Sequence, residues 1–582
     1  MTGAARYVFM YNLLGSGRAA RYKDCMVTDT LKITLVQDNY TVGAMRANAD
    51  NIIKHIKEAD ARGVDLVVFP EMAVTGYPCE DIVFKDQFCE RAMTALYRIA
   101  RETEDAQCSA LVGGLWKEEG DVYNATVMIE KGAITHIRRK RSLPNYGVFD
   151  EKRIFTKGDV PAPMRWRGMR LGVLICEETW DPRWAPHLAR QGAELIISQN
   201  GSPYETGKAS LRRDVVSRAV ESSGLPVIYV NLVGGQDELV FDGRSYIVDH
   251  TNKDVARLDA FNTQVADTTW EKRDGRWYCV DGPYVESQGD LETMYQAMVL
   301  GLRDYVQKNG FPGVVLGLSG GIDSGLTAAV AADALGADKV HGVFMPSRYT
   351  SKESLEDAKQ LTENLGIRFS TIPIAEGMEA MEHMLAEQFA DTTPDLTEEN
   401  IQARLRGVLL MALSNKFGDM VLSTGNKSEL SVGYSTLYGD MCGGYSVLCD
   451  IYKMSVFKLS RWRNRYEGDL PLLQGPVSAV IPERMITKPP TAELRHDQKD
   501  EDSLPPYELL DKLLIELIEK RKAAEDLIAE GYDAETVQKV AMLVFNAEYK
   551  RRQSAPGVKV SNMSFGRDRR YPITNHWVLQ GD

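Results

Sequence analysis

The chain has 582 residues and a formal net charge of -13, and it is longer than the roughly 250–300 residues at which single hydrophobic cores stop growing. Its 44% hydrophobic and 26% charged residues are ordinary for a globular protein. The acidic balance argues against a broad nucleic-acid surface, and no apolar run approaches the roughly 20 residues of a membrane helix. We therefore predict two large domains and small-molecule substrates, with neither nucleic acid nor membrane as a partner.

The eight cysteines and eight histidines contain no CxxC pair and no HExxH pattern. This spacing predicts neither a disulfide framework nor a zinc cluster. A reducing, cytoplasmic location fits best.

Residues 1–30 mix basic and small residues with a short apolar patch that Tyr11 and Asn12 interrupt. This is a poor match to a secretory signal. We expect a disordered extension or a non-native start, with Met26 as the alternative start; an Arg-rich transit peptide is the other interpretation.

In the first half, strand-like runs alternate with helical ones and several are joined by short turns, which predicts an α/β domain with mixed strand pairing. The runs are 31–39, 64–71, 109–116, 123–130, 169–178, 193–201, 226–234 and 245–250, with a helix at 44–62. The chain turns polar over 262–290, and we place a domain boundary there, near Tyr284. The predicted domains are 31–284 and 285–582.

The second half begins with a helix at 291–307 and continues with alternating strands and helices, which predicts a doubly wound parallel sheet. The strands are expected at 313–319, 339–346 and 367–374, and a helix at 352–365. Residues 485–508 are rich in Pro, Lys, Asp and Glu, and they predict a long loop that is either disordered or a lid. Helices are expected at 508–529 and 533–550.

Three reactive residue types lie at or between predicted strand ends in the first half. Glu71 ends VDLVVFPE, Cys176 ends LGVLIC, and Lys140 lies between them in RRKRSLPNYGVF. A thiol can attack a carboxamide while a carboxylate moves the proton and an ammonium stabilises the oxyanion and lowers the thiol pKa. Taken singly, a packed cysteine, a capping glutamate and a solvated lysine are the simpler interpretations.

These segments resemble the nitrilase superfamily, and LPNYGVFDEKRIF, QNGSPYETGK and NLVGGQDELVFDG resemble its glutaminase branch. The resemblance covers about residues 31–270 and implies an αββα sandwich. It implies Glu71 as general base, Lys140 as oxyanion partner and Cys176 as nucleophile. Ser142 departs from the pattern, because many relatives carry His there. By the same resemblance the glutamine is held by Tyr146, Ser202 and Lys208, with Tyr77 and Glu177 as neighbours.

GVVLGLSGGIDSGLTAAV (313–330) predicts a strand, a glycine loop and a helix whose amides suit a phosphate. A plain Gly-rich turn is the simpler interpretation, but SGGIDS adds hydroxyls and a carboxylate. There is no GK[ST], which disfavours a kinase or motor ATPase. The loop resembles that of the ATP pyrophosphatases, which release AMP and pyrophosphate.

The segment VLSTGNKSELSVGYSTLYGDMCGG (421–444) resembles NAD⁺ synthetases, as do ENIQARLRG, MPSRYTS, 486–511 and 548–575. Two carboxylates with phosphate oxygens make a magnesium site, although Glu429 alone reads as a helix N-terminal acid. The resemblance implies Mg²⁺ on Asp323 and Glu429, and a lid at 486–504. ATP contacts are implied for Gly317, Leu318, Ser319, Gly320, Gly321, Ile322, Asp323, Ser324 and Thr424. Deamido-NAD⁺ contacts are implied for Asn400, Glu429 and Lys550, with Arg404, Lys427, Lys488 and Thr491 as further candidates.

Together the two resemblances imply a ligase in which ammonia from glutamine amidates deamido-NAD⁺ through an acyl-adenylate, with ATP as co-substrate. They also imply a homo-oligomer of two or more copies. Two alternatives stay open. One is another ATP-pyrophosphatase amidotransferase, acting on a nucleobase or a tRNA; the other is a non-catalytic nitrilase-fold scaffold.

Overall fold

The structure is a computed structural model that describes residues 29–496, 498–575 and 577. The predicted extension lies outside the described residues except for Asp29 and Thr30, and Thr30 already begins the first strand. Among the described residues of the first half, fifteen strands form two large sheets and one hairpin: β1 Thr30–Gln37, β2 Leu66–Val68, β3 Ser109–Glu118, β4 Asp121–Glu130, β5 Ala133–Arg139, β6 Met164–Trp166, β7 Met169–Ile175, β8 Leu195–Asn200, β9 Val227–Asn231, β10 Val233–Gln236, β11 Leu239–Asp242, β12 Tyr246–Val248, β13 Asp254–Arg257, β14 Gln264–Arg273 and β15 Arg276–Asp281. The helices of this half are α1 Met45–Ala61, α2 Asp86–Glu102, α3 Glu151–Ile154, α4 Glu177–Trp180, α5 Trp184–Arg190 and α6 Lys208–Ser223.

The two large sheets lie face to face. Their strand orders are β15-β14-β1-β2-β3-β4-β5 and β13-β12-β9-β8-β7-β6. Ile33 and Val68 of the first sheet share a buried cluster with Val173 and Ile197 of the second, whereas α1 and α2 pack on the outer face of the first sheet and α5 and α6 on that of the second. The predicted αββα sandwich is confirmed.

Part of the polar segment 262–290 is a β-hairpin rather than a linker. β14 pairs antiparallel with β1, and β15 follows at the sheet edge. Ala266, Thr268 and Trp270 alternate inward while the residues between them face outward. Because one face of a half-buried strand is polar, the composition of this segment did not reveal that it forms a strand. The boundary near Tyr284 stays a prediction.

The second half is built on one five-stranded parallel sheet, as predicted. Its strands are β16 Val314–Leu318, β17 Val340–Phe344, β18 Arg368–Thr371, β19 Met420–Ser423 and β20 Tyr445–Ser446. The order β18-β17-β16-β19-β20 reverses between β16 and β19. Such a reversal opens a crevice at the carboxyl ends of these two strands.

In the described part of this half, twelve α-helices cover the sheet or extend beyond it: α7 Asp290–Lys308, α8 Ile322–Leu335, α9 Lys352–Leu365, α10 Ala375–Leu385, α11 Leu396–Phe417, α12 Lys427–Val432, α13 Lys453–Asn464, α14 Glu483–Thr487, α15 Tyr507–Leu514, α16 Ala524–Ala529, α17 Ala534–Asn546 and α18 Glu548–Arg551. Helices α7, α8, α9 and α13 share one buried cluster with the sheet, and α10 and α11 share another on the opposite face. No helix of the described part of the chain is long and apolar enough to cross a membrane.

The predicted helix at 508–529 is wrong in its continuity. After α15 comes a π turn at Ile515–Glu519, and Arg521 has a φ of 56°. That left-handed conformation cannot continue a right-handed helix, so α16 starts anew. The predicted helix at 533–550 divides into α17 and α18 at Ala547, which keeps right-handed φ and ψ angles. The segment 485–508 is folded against α9 and α11 through contacts described below.

Candidate active sites

The structure brings Glu71, Lys140 and Cys176 together at the strand ends of the sandwich. The Lys140 ammonium lies 2.7 Å from Glu71 Oε1, and both side chains are fully buried. The other Glu71 oxygen accepts the Gly201 amide at 2.7 Å. A Cβ at residue 201 would lie 3.2 Å from that oxygen, so a glycine there lets the backbone approach the carboxylate. Both oxygens of Glu71 therefore have fixed partners.

Cys176 lies between the end of β7 and the start of α4, with a φ of 46° that few non-glycine residues adopt. Its amide donates to the Gln199 carbonyl at 2.9 Å, which fixes the turn. Burial and the negative charge of Glu71 raise the pKa of the Cys176 thiol well above its usual range, and Lys140 only partly opposes them. Lys140 lowers this pKa as expected, but the opposing effects of burial and Glu71 are larger, so the net change is upward.

Glu151 is a fourth buried group, which the sequence interpretation missed. Its carboxylate lies 2.9 Å from the Lys140 ammonium and accepts the Tyr77 hydroxyl at 3.0 Å. Burial raises the pKa of Glu151 to about 7 against the opposing charge of Lys140. Asn124 of β4 donates to both Glu71 and Glu151, at 2.7 and 3.3 Å. Glu151 closes the quoted motif LPNYGVFDE, which was the only signal for it.

The predicted glutamine-holding residues fall into two groups: Tyr146, Glu177 and Lys208 are exposed or half-buried, whereas Ser202 and Tyr77 are buried. Tyr146 is 55% exposed and donates to Glu177 at 2.8 Å, while Lys208 lies 5.8 Å from the centre of the Phe149 ring. Burial lowers the pKa of Lys208 to about 8. Ser202 is buried, and its hydroxyl accepts from Arg212, at 3.1 Å. Tyr77 lies beside Gly201 and Glu151, so it supports the reactive centre instead of the entrance.

The second site is a cavity of about 270 Å³ at the crevice between β16 and β19. α8 begins at Ile322 with Gly321 as its N-cap, and Gly320 has a φ of 78°. A Cβ on Gly320 would lie 2.5 Å from the Ser354 carbonyl oxygen, which explains the glycine. Of the residues predicted for this region, those lining the cavity are Gly317, Leu318, Ser319, Gly321, Ile322, Asp323, Ser324, Thr424, Glu429, Lys488 and Thr491.

Asp323 and Glu429 face one another across this cavity. Lys453, the first residue of α13, lies between them, 2.5 Å from Asp323 Oδ2 and 3.2 Å from Glu429 Oε1. Asn426 donates to the other Asp323 oxygen at 2.9 Å and forms a reciprocal capping box with Glu429. The interpretation of Glu429 as a helix N-terminal acid is confirmed, since it caps α12. It also lines the cavity, and its role as a magnesium ligand stays a prediction. Lys453 was missed, because no motif marks it.

The other predicted contacts lie outside the cavity lining. Asn400 accepts from Thr436 at 2.8 Å, and Arg404 donates to the Leu437 carbonyl at 3.2 Å. Lys550 donates to the carbonyls of Gly433 and Ser435 at 2.7 Å each, so these three side chains hold the loop after α12. The Lys427 ammonium is fully buried and lies 2.9 Å from Asp450. The structure thus places Lys427 in the interior.

The predicted lid lies against the cavity. Glu493 accepts the hydroxyls of Ser351 and Ser354 at 2.9 and 2.8 Å and lies 2.8 Å from the Lys488 ammonium. Leu494 accepts from Gln402 of α11 at 3.0 Å. The segment therefore spans from the start of α9 to α11, and its residues line the cavity.

Comparisons with known proteins agree with this two-part architecture. A carbon-nitrogen hydrolase family model matches residues 32–273, and an NAD synthase family model matches residues 294–554. The chain is 47% identical over 551 residues to a glutamine-dependent NAD(+) synthetase of Rhodobacter capsulatus, a match covering 95% of this chain and 99% of the relative. It is 43% identical to that of Acinetobacter baylyi, covering 94% and 99%.

A solved structure of glutamine-dependent NAD+ synthetase from Acinetobacter baumannii, in complex with ADP, superposes with a TM-score of 0.74 at 39% identity. That match covers 94% of this chain and 99% of the other. The fold, the two sites and near-complete coverage at this identity agree, and the chain belongs to the family of glutamine-dependent NAD⁺ synthetases.

Proposed function

We propose that this protein hydrolyses glutamine in the sandwich domain and uses the ammonia in the second domain to amidate deamido-NAD⁺. ATP is the co-substrate, and the products are NAD⁺, glutamate, AMP and pyrophosphate. The proposal rests on one observation, which is that a single chain contains both sites. One site has a buried Glu71–Lys140 pair beside Cys176. The other is the cavity lined by the predicted phosphate loop (317–324) and by the carboxylates of Asp323 and Glu429.

The resting Cys176 is a neutral thiol, so its proton must leave during attack on the glutamine carboxamide. Glu71 is the base for this step, and Lys140 stabilises the oxyanion. The tetrahedral intermediate collapses to a thioester, and the proton held by Glu71 goes to the departing ammonia. Water, deprotonated by Glu71, then releases glutamate and the free thiol. Tyr146, Glu177, Ser202 and Lys208 hold the glutamine in this proposal, and Tyr77 supports Glu151.

In the second cavity, an oxygen of the nicotinate carboxylate attacks the α-phosphorus of ATP, and pyrophosphate leaves. The amides of Gly317–Ser324 and the N-terminus of α8 stabilise the phosphate charge, together with Thr424. Ammonia then attacks the acyl carbon and displaces AMP, giving the amide. Water would hydrolyse this acyl-adenylate, so the lid at 486–504 must exclude it.

The carboxylates of Asp323 and Glu429 fit a magnesium ion. They already share one cation, the Lys453 ammonium, and their oxygen donors suit Mg²⁺. No cluster of three or more acidic, His or Cys residues that could hold a metal occurs among residues the structure describes. Two carboxylates completed by phosphate oxygens are a usual magnesium arrangement, and the bound ion would neutralise phosphate charge.

The remaining assignments belong to the same proposal. Asn400, Glu429 and Lys550 contact deamido-NAD⁺, with Arg404, Lys488 and Thr491 nearby. The domains divide near Tyr284, and the protein is a cytoplasmic homo-oligomer. Because free ammonia is protonated at neutral pH, it travels between the domains through an enclosed path.

An isotope experiment tests the acyl-adenylate directly. Deamido-NAD⁺ carrying ¹⁸O in its nicotinate carboxylate is incubated with the protein, ATP, Mg²⁺ and either glutamine or ammonium. The proposal predicts one labelled oxygen in AMP for each NAD⁺ formed. Label in pyrophosphate or phosphate, or release of ADP, would contradict it.

A further inference from the structure

Glu178 is a fully buried carboxylate that the chemistry above leaves without a role. It lies in α4, two residues after Cys176. Its neighbour Glu177 instead accepts the hydroxyl of Tyr146, and both are predicted glutamine contacts. A carboxylate with no exposure is retained only where its hydrogen bonds compensate its lost hydration.

Three donors converge on Glu178. Oε2 accepts the amide of Ile175 at 2.8 Å, while Oε1 accepts the amide of Arg141 at 2.5 Å and the Arg138 guanidinium at 2.6 Å. Ile175 precedes the nucleophile, and Arg141 follows Lys140. One carboxylate therefore joins the chain segments that carry the thiol and the ammonium.

Both segments need such support. Cys176 has a φ of 46°, and a strained conformation of this kind persists only when its surroundings fix it. Lys140 lies outside regular structure, directly after β5. Its amide donates to the Asn124 carbonyl at 2.8 Å, which fixes the backbone on one side. The Arg141 bond to Glu178 fixes the other side.

We propose that Glu178 is a positioning residue for glutamine hydrolysis, which sets the separation of the Cys176 sulfur from the Lys140 ammonium. This inference rests on the proposed function. Glu178 touches neither substrate nor the reacting atoms, and it acts only through the two backbone segments and Arg138.

The chemistry of the carboxylate makes substitutions informative. In Glu178→Gln one carboxylate oxygen becomes an NH₂ group. Because both oxygens of Glu178 accept from N–H donors, this NH₂ group faces a donor in either orientation of the amide. The substitution also removes the negative charge that pairs with Arg138. Glu178→Asp keeps the charge and all acceptors but shortens the reach by one methylene. The aspartate should therefore retain part of what the glutamine loses.

The test compares both variants with the wild-type full-length protein in three measurements. These are NAD⁺ formation with glutamine, NAD⁺ formation with ammonium, and the pH dependence of Cys176 alkylation by iodoacetamide, corrected with Cys176→Ala. Glu178→Gln should lower the glutamine-driven kcat by up to about 100-fold, because the reacting groups are misplaced. It should change the ammonium-driven rate less than about twofold and move the alkylation midpoint. Glu178→Asp should fall between Glu178→Gln and the wild type.

Glu194→Gln is the matched control, because Glu194 pairs with Lys272 at the edge of the same domain. The proposal is overturned if Glu178→Gln forms NAD⁺ from glutamine at the wild-type rate. It is also overturned if the glutamine-driven and ammonium-driven rates both fall in proportion to the amount of folded protein while the pH profile of alkylation is unchanged. Failure of the wild-type protein to form NAD⁺ from either donor would instead refute the proposed function.

Discussion

At the residue scale, the glutaminase site combines a resting thiol of raised pKa with a base that is already hydrogen bonded. Cys176 is protonated at rest, so the attack depends on proton transfer to Glu71 instead of on a stored thiolate. This differs from a cysteine whose pKa an adjacent cation brings below its usual range. Lys140 is shared by two carboxylates, and its charge is therefore partly neutralised before the oxyanion forms.

Lys208 gives a pH prediction. Burial lowers the pKa of Lys208 to about 8, so the ammonium is present below that pH and lost above it. If it holds the glutamine carboxylate, kcat/KM for glutamate release should fall above about pH 8, approaching tenfold per pH unit. Lys208→Arg, which stays charged, should move this fall to higher pH. The same fall in both proteins would exclude Lys208 as its cause.

The residues that sequence reasoning found and missed differ in a physical way. Glu71, Cys176 and Asp323 follow apolar strands, and strand ends of neighbouring elements meet at one sheet edge. Loops bring Glu151 and Lys453 to the sites, and the conformation of a loop leaves no periodic pattern in the sequence. Lys427 appeared in the right motif, but its burial depends on Asp450 and the distant C-terminal segment.

At the element scale, the Glu493 side chain makes several of the contacts that hold the lid segment to α9. Glu493 has a φ of 49° and accepts from two serines at the start of α9. Gly320 of the phosphate loop packs against the backbone of Ser354, one of these two serines. The contact thus joins the lid to the loop that is proposed to hold ATP.

Removing that contact should let water reach the adenylate. In Glu493→Ala the ratio of AMP to NAD⁺ should rise above one, because water returns the acyl-adenylate to deamido-NAD⁺ and AMP. Glutamine hydrolysis alone should be unchanged. The control is Glu501→Ala, an exposed residue of the same segment. An unaltered product ratio in Glu493→Ala would show that the lid closes without this contact.

The fold itself was largely predictable at this scale, and the exceptions have causes. Continuous apolar runs identified the buried strands, whereas β14 was concealed by its polar outer face. The helices after residue 507 were predicted as two continuous elements, because sequence periodicity does not report the left-handed residue at Arg521.

At the scale of the whole molecule, the segment after α18 contacts both domains. The amide and hydroxyl of Thr206, near the glutamine site, donate to the Val560 carbonyl at 2.9 Å each. Lys559 is buried 3.2 Å from Glu205 and 3.0 Å from Asp568. Asp450 accepts the amide of Val560 at 2.8 Å. This short stretch of chain is thus bonded to both halves of the protein.

Replacing Lys559 by methionine should loosen this connection. The two carboxylates would lose a buried partner, at a cost of about 3–5 kcal/mol, and the domains should separate more readily. Ammonia would then escape, and the ratio of glutamate to NAD⁺ should rise, while the ammonium-driven rate stays near that of the wild type. Lys539→Met, an exposed substitution in α17, is the control. An unchanged ratio would show that retention of ammonia does not depend on this contact.

The central claim is that two separate reactive centres operate in sequence, and one pair of variants tests it most directly. NAD⁺ formation is measured for Cys176→Ala and Asp323→Asn with glutamine and then with ammonium. We predict that Cys176→Ala loses the glutamine-driven reaction and keeps the ammonium-driven one, whereas Asp323→Asn loses both and still hydrolyses glutamine. Glutamine-driven NAD⁺ formation in Cys176→Ala, or ammonium-driven formation in Asp323→Asn, would contradict the account.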